Sequence, residues 1–120
     1  MRSLWGVAGF LALGTLVACS QSFGAGRSVY NEHCVMCHGA SGQGDGEFAN
    51  QLLKLPPDLT RLTRENGGTF PRLRVEQVIT GSGRGEHFSG AMPEFADFGA
   101  NEATPQTLQA IVEYVESIQI

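Results

Sequence analysis

The sequence predicts an all-α domain, and three observations carry that prediction. The clearest lies near the C-terminus, where Leu108, Ile111, Val112, Val115 and Ile118 recur at helical spacing, with Tyr114 flanking the stripe. Thr104 caps this segment and Pro105 suits its first turn. A second helical pattern starts at Pro71, runs through Val75, Val78 and Ile79, and ends at Gly81. The third observation is negative: no stretch has the alternation of a strand, and no repeat or second domain pattern is present.

The first part of the 120 residues reads as a targeting segment rather than fold. Met1-Arg2-Ser3 is a short basic start, and the apolar run from Leu4 to Val17 falls short of the roughly 20 residues a spanning helix needs. Residues 1–18 are therefore expected to be a secretory signal. Its end, Leu16-Val17-Ala18-Cys19, resembles a bacterial lipobox, which implies a diacylglyceryl group on Cys19. The remaining cysteine arithmetic agrees. Of three cysteines, two belong to one motif, and acylation of Cys19 removes the odd thiol from an exported chain.

From Cys19 to Ala25 a short linker is expected, reaching at most roughly 20 Å. The domain proper then spans residues 26–120. Its first helix runs from Arg27 into the motif, with Gly26, Tyr30 and Cys34 on one face. Gly39, Gly42, Gly44 and Gly46 exclude regular structure over the next stretch. A helical turn over Phe48 to Leu53 is stopped by Pro56-Pro57, and the loop from Ser82 to Ala100 carries Met92-Pro93.

Cys34-Val35-Met36-Cys37-His38 is the C-x-x-C-H pattern of covalent c-type haem attachment. Two thiols three positions apart share one side of a helical turn and can add to both vinyl groups of one porphyrin. The histidine directly after them is then pressed against the iron as proximal ligand. A zinc site would need a second cysteine pair, and a thioredoxin-like motif would need a βαβ setting; neither pattern is present. The sixth ligand follows by elimination. Met1 starts the chain and Met36 is inside the motif, which leaves Met92. His87, in the same loop, is the competing ligand and is read as a surface or propionate-side residue, and His33 as a surface residue.

Beyond the signal, seven Lys and Arg face twelve Asp and Glu, with no basic stripe, which argues against nucleic acid as a partner. The charge is uneven. Lys54, Arg61, Arg64, Arg72 and Arg74 dominate the middle, while Glu86, Glu94 and Asp97 make the methionine side acidic. About a hundred residues bury little apolar surface, so a tethered porphyrin is expected to supply missing core.

Together these residues resemble the small class I mono-haem c-type cytochromes over nearly the whole chain after the signal. The resemblance implies three to four helices around one covalent haem, with the first and last helices crossed. Gly26 and Tyr30 would meet Ile111 and Tyr114 at that crossing. It also implies that the Pro57 carbonyl, in Pro57-Asp58-Leu59, accepts the proximal imidazole Nδ1–H and fixes its tautomer. Trp5 leaves with the signal, so Thr60, Arg61, Arg64 and Arg84 are the expected partners of the haem propionates.

The expected function is one-electron transfer, with both axial positions filled by His38 and Met92 and no small-molecule substrate. An acidic methionine side implies redox partners with a basic docking patch. Two other readings stay open: a haem subunit of an exported dehydrogenase or reductase, and a ligand-binding or peroxidatic haem protein. The expected location is the periplasmic side of a bacterial membrane, anchored at Cys19, with Ser20 pointing to the outer membrane.

Overall fold

A computed structural model describes residues 23–85, 88 and 90–120. The expected signal (1–18), Cys19 and Ser20, and the loop residues Glu86 and His87, lie outside the described residues.

The described chain is helical, with no strand among its residues. Helix α1 covers residues 23–33 and α2 Val35–His38; α3 is Leu62–Glu65, α4 Arg72–Thr80 and α5 Pro105–Ser117. Single 3₁₀ turns occupy Ala49–Gln51, Leu59–Arg61 and Phe95–Phe98. The all-α class holds. There are more helices than three to four among the described residues, because the first one breaks at Cys34 and α3 carries no periodic signal of its own. None is long and apolar enough to cross a membrane.

Helix α5 is the centre of the molecule. Thr104 caps it by accepting the Thr107 N–H at 3.2 Å, and Pro105 opens its first turn. Its buried face presents Ala110, Ile111, Val112, Tyr114 and Val115. Ile111 and Val115 form the core with Phe95, and Val29, Leu59, Leu62, Phe70, Ile79 and Leu108 pack against that cluster. Each such aliphatic side chain contributes about 1.5–3 kcal/mol on full burial.

Helix α1 meets α5 where the resemblance implies. A Cβ at Gly26 would overlap the Ala110 carbonyl, so only glycine permits this approach. Tyr30 packs against Tyr114 with ring centres 5.1 Å apart, and Phe23 reaches Tyr114 at 5.7 Å. That last contact corrects the linker. Residues 23–25 are already helical, because Phe23 has a ring to pack on one turn before Arg27.

Helix α4 lies against α5 and ends on Gly81, whose φ of +88° suits a left-handed cap. Pro71 stands at the capping position, so the helix proper starts one residue later than expected. An exposed Arg72–Glu116 pair at 2.8 Å joins the two helices and contributes less than about 1 kcal/mol.

The segment leading into α3 is held by side chains. Asp58 accepts from the Thr60 N–H at 2.9 Å and from its hydroxyl at 2.6 Å. The Thr60 hydroxyl, with smaller help from its amide and nearby arginines, holds the Asp58 carboxyl below the usual range. Gln119 then staples the chain end to this segment. Its amide oxygen accepts from Thr63 N–H at 2.9 Å, and its nitrogen donates to the carbonyls of Leu59 at 2.6 Å and Val115 at 2.8 Å.

Candidate haem site

The motif residues continue the course of α1 past a break at Cys34. The Cys34 N–H donates to Tyr30, and the Cys34 carbonyl accepts from Cys37 at 3.2 Å and His38 at 2.9 Å. Positions three and four apart therefore share one face, which carries both thiols and the imidazole. Burial, and secondarily Cys37, pushes the Cys34 thiol up to about 12, so without its partner group it stays protonated.

Gly39, at φ +81°, ends the helix, and the glycine loop folds back over it. Gly44 N–H donates to His38 O at 2.8 Å, Gly46 N–H to Cys37 O at 3.2 Å and Phe48 N–H to Met36 O at 2.8 Å. These are the carbonyls that a helix end leaves without partners. Gly46 is buried so closely that a Cβ would overlap the Met36 carbonyl. The buried Tyr30 hydroxyl donates to the Gly39 carbonyl at 2.7 Å and braces the turn from below.

The Pro56-Pro57 segment packs on this loop, tied by Leu59 N–H to Gly42 O at 2.7 Å. His38 Nδ1 is buried and forms no hydrogen bond of standard geometry. Burial lowers the His38 pKa, and the Pro57 carbonyl opposes that shift. The Pro57 carbonyl is thus near enough to act on the imidazole, though no hydrogen bond joins them.

All of this borders a cavity of about 830 Å³ lined by Cys34, Cys37, His38 and Met92. Its other walls are mainly apolar, with Leu59, Leu62, Val78, Ile79 and Ile111 among them. The volume lies in the range of cofactor pockets. A thiol pair, a buried imidazole and a thioether on one apolar space are the donor set of a covalently held iron porphyrin, so the residues present fit haem c.

Two expectations meet the geometry here. The cationic lining of the cavity is Lys54 and Arg74; Thr60, Arg61, Arg64 and Arg84 are not among its walls. The Thr60 hydroxyl is already committed to Asp58, and Arg84 to backbone carbonyls. His33 is only partly exposed: it lines the cavity, stacks on Phe98 at 4.0 Å and holds Glu102 at 2.6 Å. It reaches these partners because α1 carries it against the chain entering α5.

Met92 sits in a loop with little regular structure, and sequence reasoning missed what holds it. Arg84 donates to the carbonyls of Met92 and Pro93 at 2.8 Å each. Glu94 and Asp97 cap each other's backbone around the Phe95–Phe98 turn. A capping pattern, Glu94 followed three residues later by Asp97, was the available signal.

A family model described as cytochrome c matches residues 23–119. Cytochrome c550 of Pseudomonas aeruginosa is similar, 35% identical over 97 residues that cover 79% of this chain and 54% of that protein. The chain thus spans about half the length of that curated relative. No solved structure was found to match it.

Proposed function

The chain belongs to the cytochrome c family, and from that premise we propose that it carries single electrons with His38 and Met92 as axial ligands. Family membership implies one covalently attached haem c, which supplies a one-electron iron couple. The observation that carries the ligand assignment is that Cys34, Cys37, His38 and Met92 all line one apolar cavity. Cys34 and Cys37 hold the porphyrin edge by thioether bonds. His38 would give the iron a neutral imidazole, with the Pro57 carbonyl as the nearby group to accept from its Nδ1–H. Met92 would fill the remaining position, leaving no place for substrate, and a thioether there would favour the reduced state. The apolar walls exclude water and favour reduction further.

Export and tethering belong to the same reading: a signal over residues 1–18, a lipid on Cys19 and a short tether before the domain, on the periplasmic side of a membrane. Labelled fatty acid should enter the mature protein and be lost in Cys19→Ser. Glu94 and Asp97 are exposed beside Met92, which supports docking of a basic partner. Its exchange rate should fall as salt rises; a salt-independent rate removes the docking assignment.

The ligand assignment is tested by absorption spectra of the haem-loaded protein, ferric and then reduced with and without CO. The expected result is a low-spin spectrum with the weak long-wavelength Met–Fe(III) band, indifferent to CO. That band should vanish in Met92→Ala. A high-spin ferric spectrum, or ready CO binding, would overturn the assignment.

A further inference from the structure

Arg84 stands where the last turn of α4 meets the methionine loop. Its Nε donates to the Val78 carbonyl at 3.0 Å, and its two terminal nitrogens donate to Met92 O and Pro93 O, each at 2.8 Å. The same guanidinium lies 4.8 Å from the Phe88 ring centre. One planar group therefore spans a helix end and two consecutive loop carbonyls. Only arginine offers that many donors in a fixed fork; lysine presents a single point charge on a flexible stem.

We propose that Arg84 is a positioning residue for the sixth ligand: it ties the Met92-Pro93 backbone to α4 and so holds the thioether in the cavity. This rests on the His38/Met92 reading above. The physical need is plain. Among its described residues, the loop between α4 and the Phe95–Phe98 turn has no helix or strand to carry its backbone bonds. Such a segment opens locally unless something anchors it. Bonds from a charged donor are roughly twice as strong as neutral ones, and here two of them flank the ligand's own peptide. The Arg84 hydrogen bonds all go to backbone carbonyls and none reaches Cys34, Cys37 or His38, so its loss should change how firmly the sixth position is held, not whether haem is attached.

The test compares wild type, Arg84→Ala and Arg84→Lys as haem-loaded proteins. The ferric forms are titrated with imidazole, which competes for the sixth position, while the Met–Fe(III) band and far-ultraviolet circular dichroism are recorded. Both variants should bind imidazole at least about tenfold more tightly, equivalent to about 1.4 kcal/mol. Their helix content should stay unchanged and the band should weaken. If Arg84→Lys matches wild type while Arg84→Ala does not, charge rather than the fork matters and the proposal fails. If both match wild type, it fails outright. A wild-type protein without the Met–Fe band, or a Met92→Ala protein that keeps it, sinks the ligand assignment first and the anchor with it. Should neither variant fold, nuclear magnetic resonance of the wild type decides: the Arg84 Nε–H should resist solvent exchange, and free exchange overturns the proposal.

Discussion

The two sides of the cavity, around Cys34–His38 and around Met92, are held by different means. Around Cys34–His38, backbone bonds backbone: the glycine loop returns its own N–H groups to the carbonyls of Met36, Cys37 and His38. Around Met92, side chains do the holding: Arg84 grips two carbonyls, and Glu94 N–H donates to the Asp97 carboxylate at 2.9 Å. The first arrangement is short in sequence and tightly packed. The second hangs on a few polar side chains that are partly exposed. A histidine side built for permanence thus faces a methionine side built to be adjusted, and local opening should begin at the latter.

The sharpest way to break the rigid region is Gly46→Ala. The added methyl group must displace the Met36 carbonyl, and overpacking of that kind costs about 1–3 kcal/mol. Denaturant unfolding of the haem-loaded protein reads it; an unchanged midpoint would mean the loop yields easily. Tyr30→Phe comes next, since it strips the Gly39 carbonyl of its buried phenol donor, at about 1–2 kcal/mol in the same assay. On the adjustable side, Asp97→Ala removes a reciprocal cap, for about 0.5–1 kcal/mol. Hydrogen exchange should quicken around Glu94 to Phe98 and leave the Gly44 and Gly46 amides protected. If those glycines lose protection too, the two regions open as one unit and the contrast is false.

The smallest effect is a matter of pH. The Asp58 carboxyl is held below its usual range, chiefly by the Thr60 hydroxyl, so its folded pKa is depressed. Its contribution is then present above the ordinary carboxylate range and is lost as pH falls through the lower folded value. Stability measured across the acid range should therefore drop less in Asp58→Asn than in wild type. An identical acid dependence would show that this carboxyl is not a source of it.

What was legible in the sequence follows the same divide. Features written in consecutive or periodic residues were readable: Cys34 to His38, the capped stripe of α5, the α4 pattern ending at Gly81. Gly26 and Tyr30 against α5 came through resemblance. Helix α3 was not readable, since four residues hold no periodicity and its segment stands on Gln119, far along the chain. Nor was the fate of Arg84, because a long flexible cation can serve a propionate or a carbonyl equally well until its surroundings are fixed. His33 was misread for the opposite reason. Its neighbours Phe98 and Glu102 come from the other end of the domain.

The meeting of Gly26 with Ala110 joins the two ends of the domain, whereas the motif and its glycine loop close within a short stretch of chain. Contacts between near neighbours form early, and those that must close a long loop form late. In time, then, the thiols and the imidazole should be in order while α5 is still undocked. The pocket would stand open during assembly and shut last.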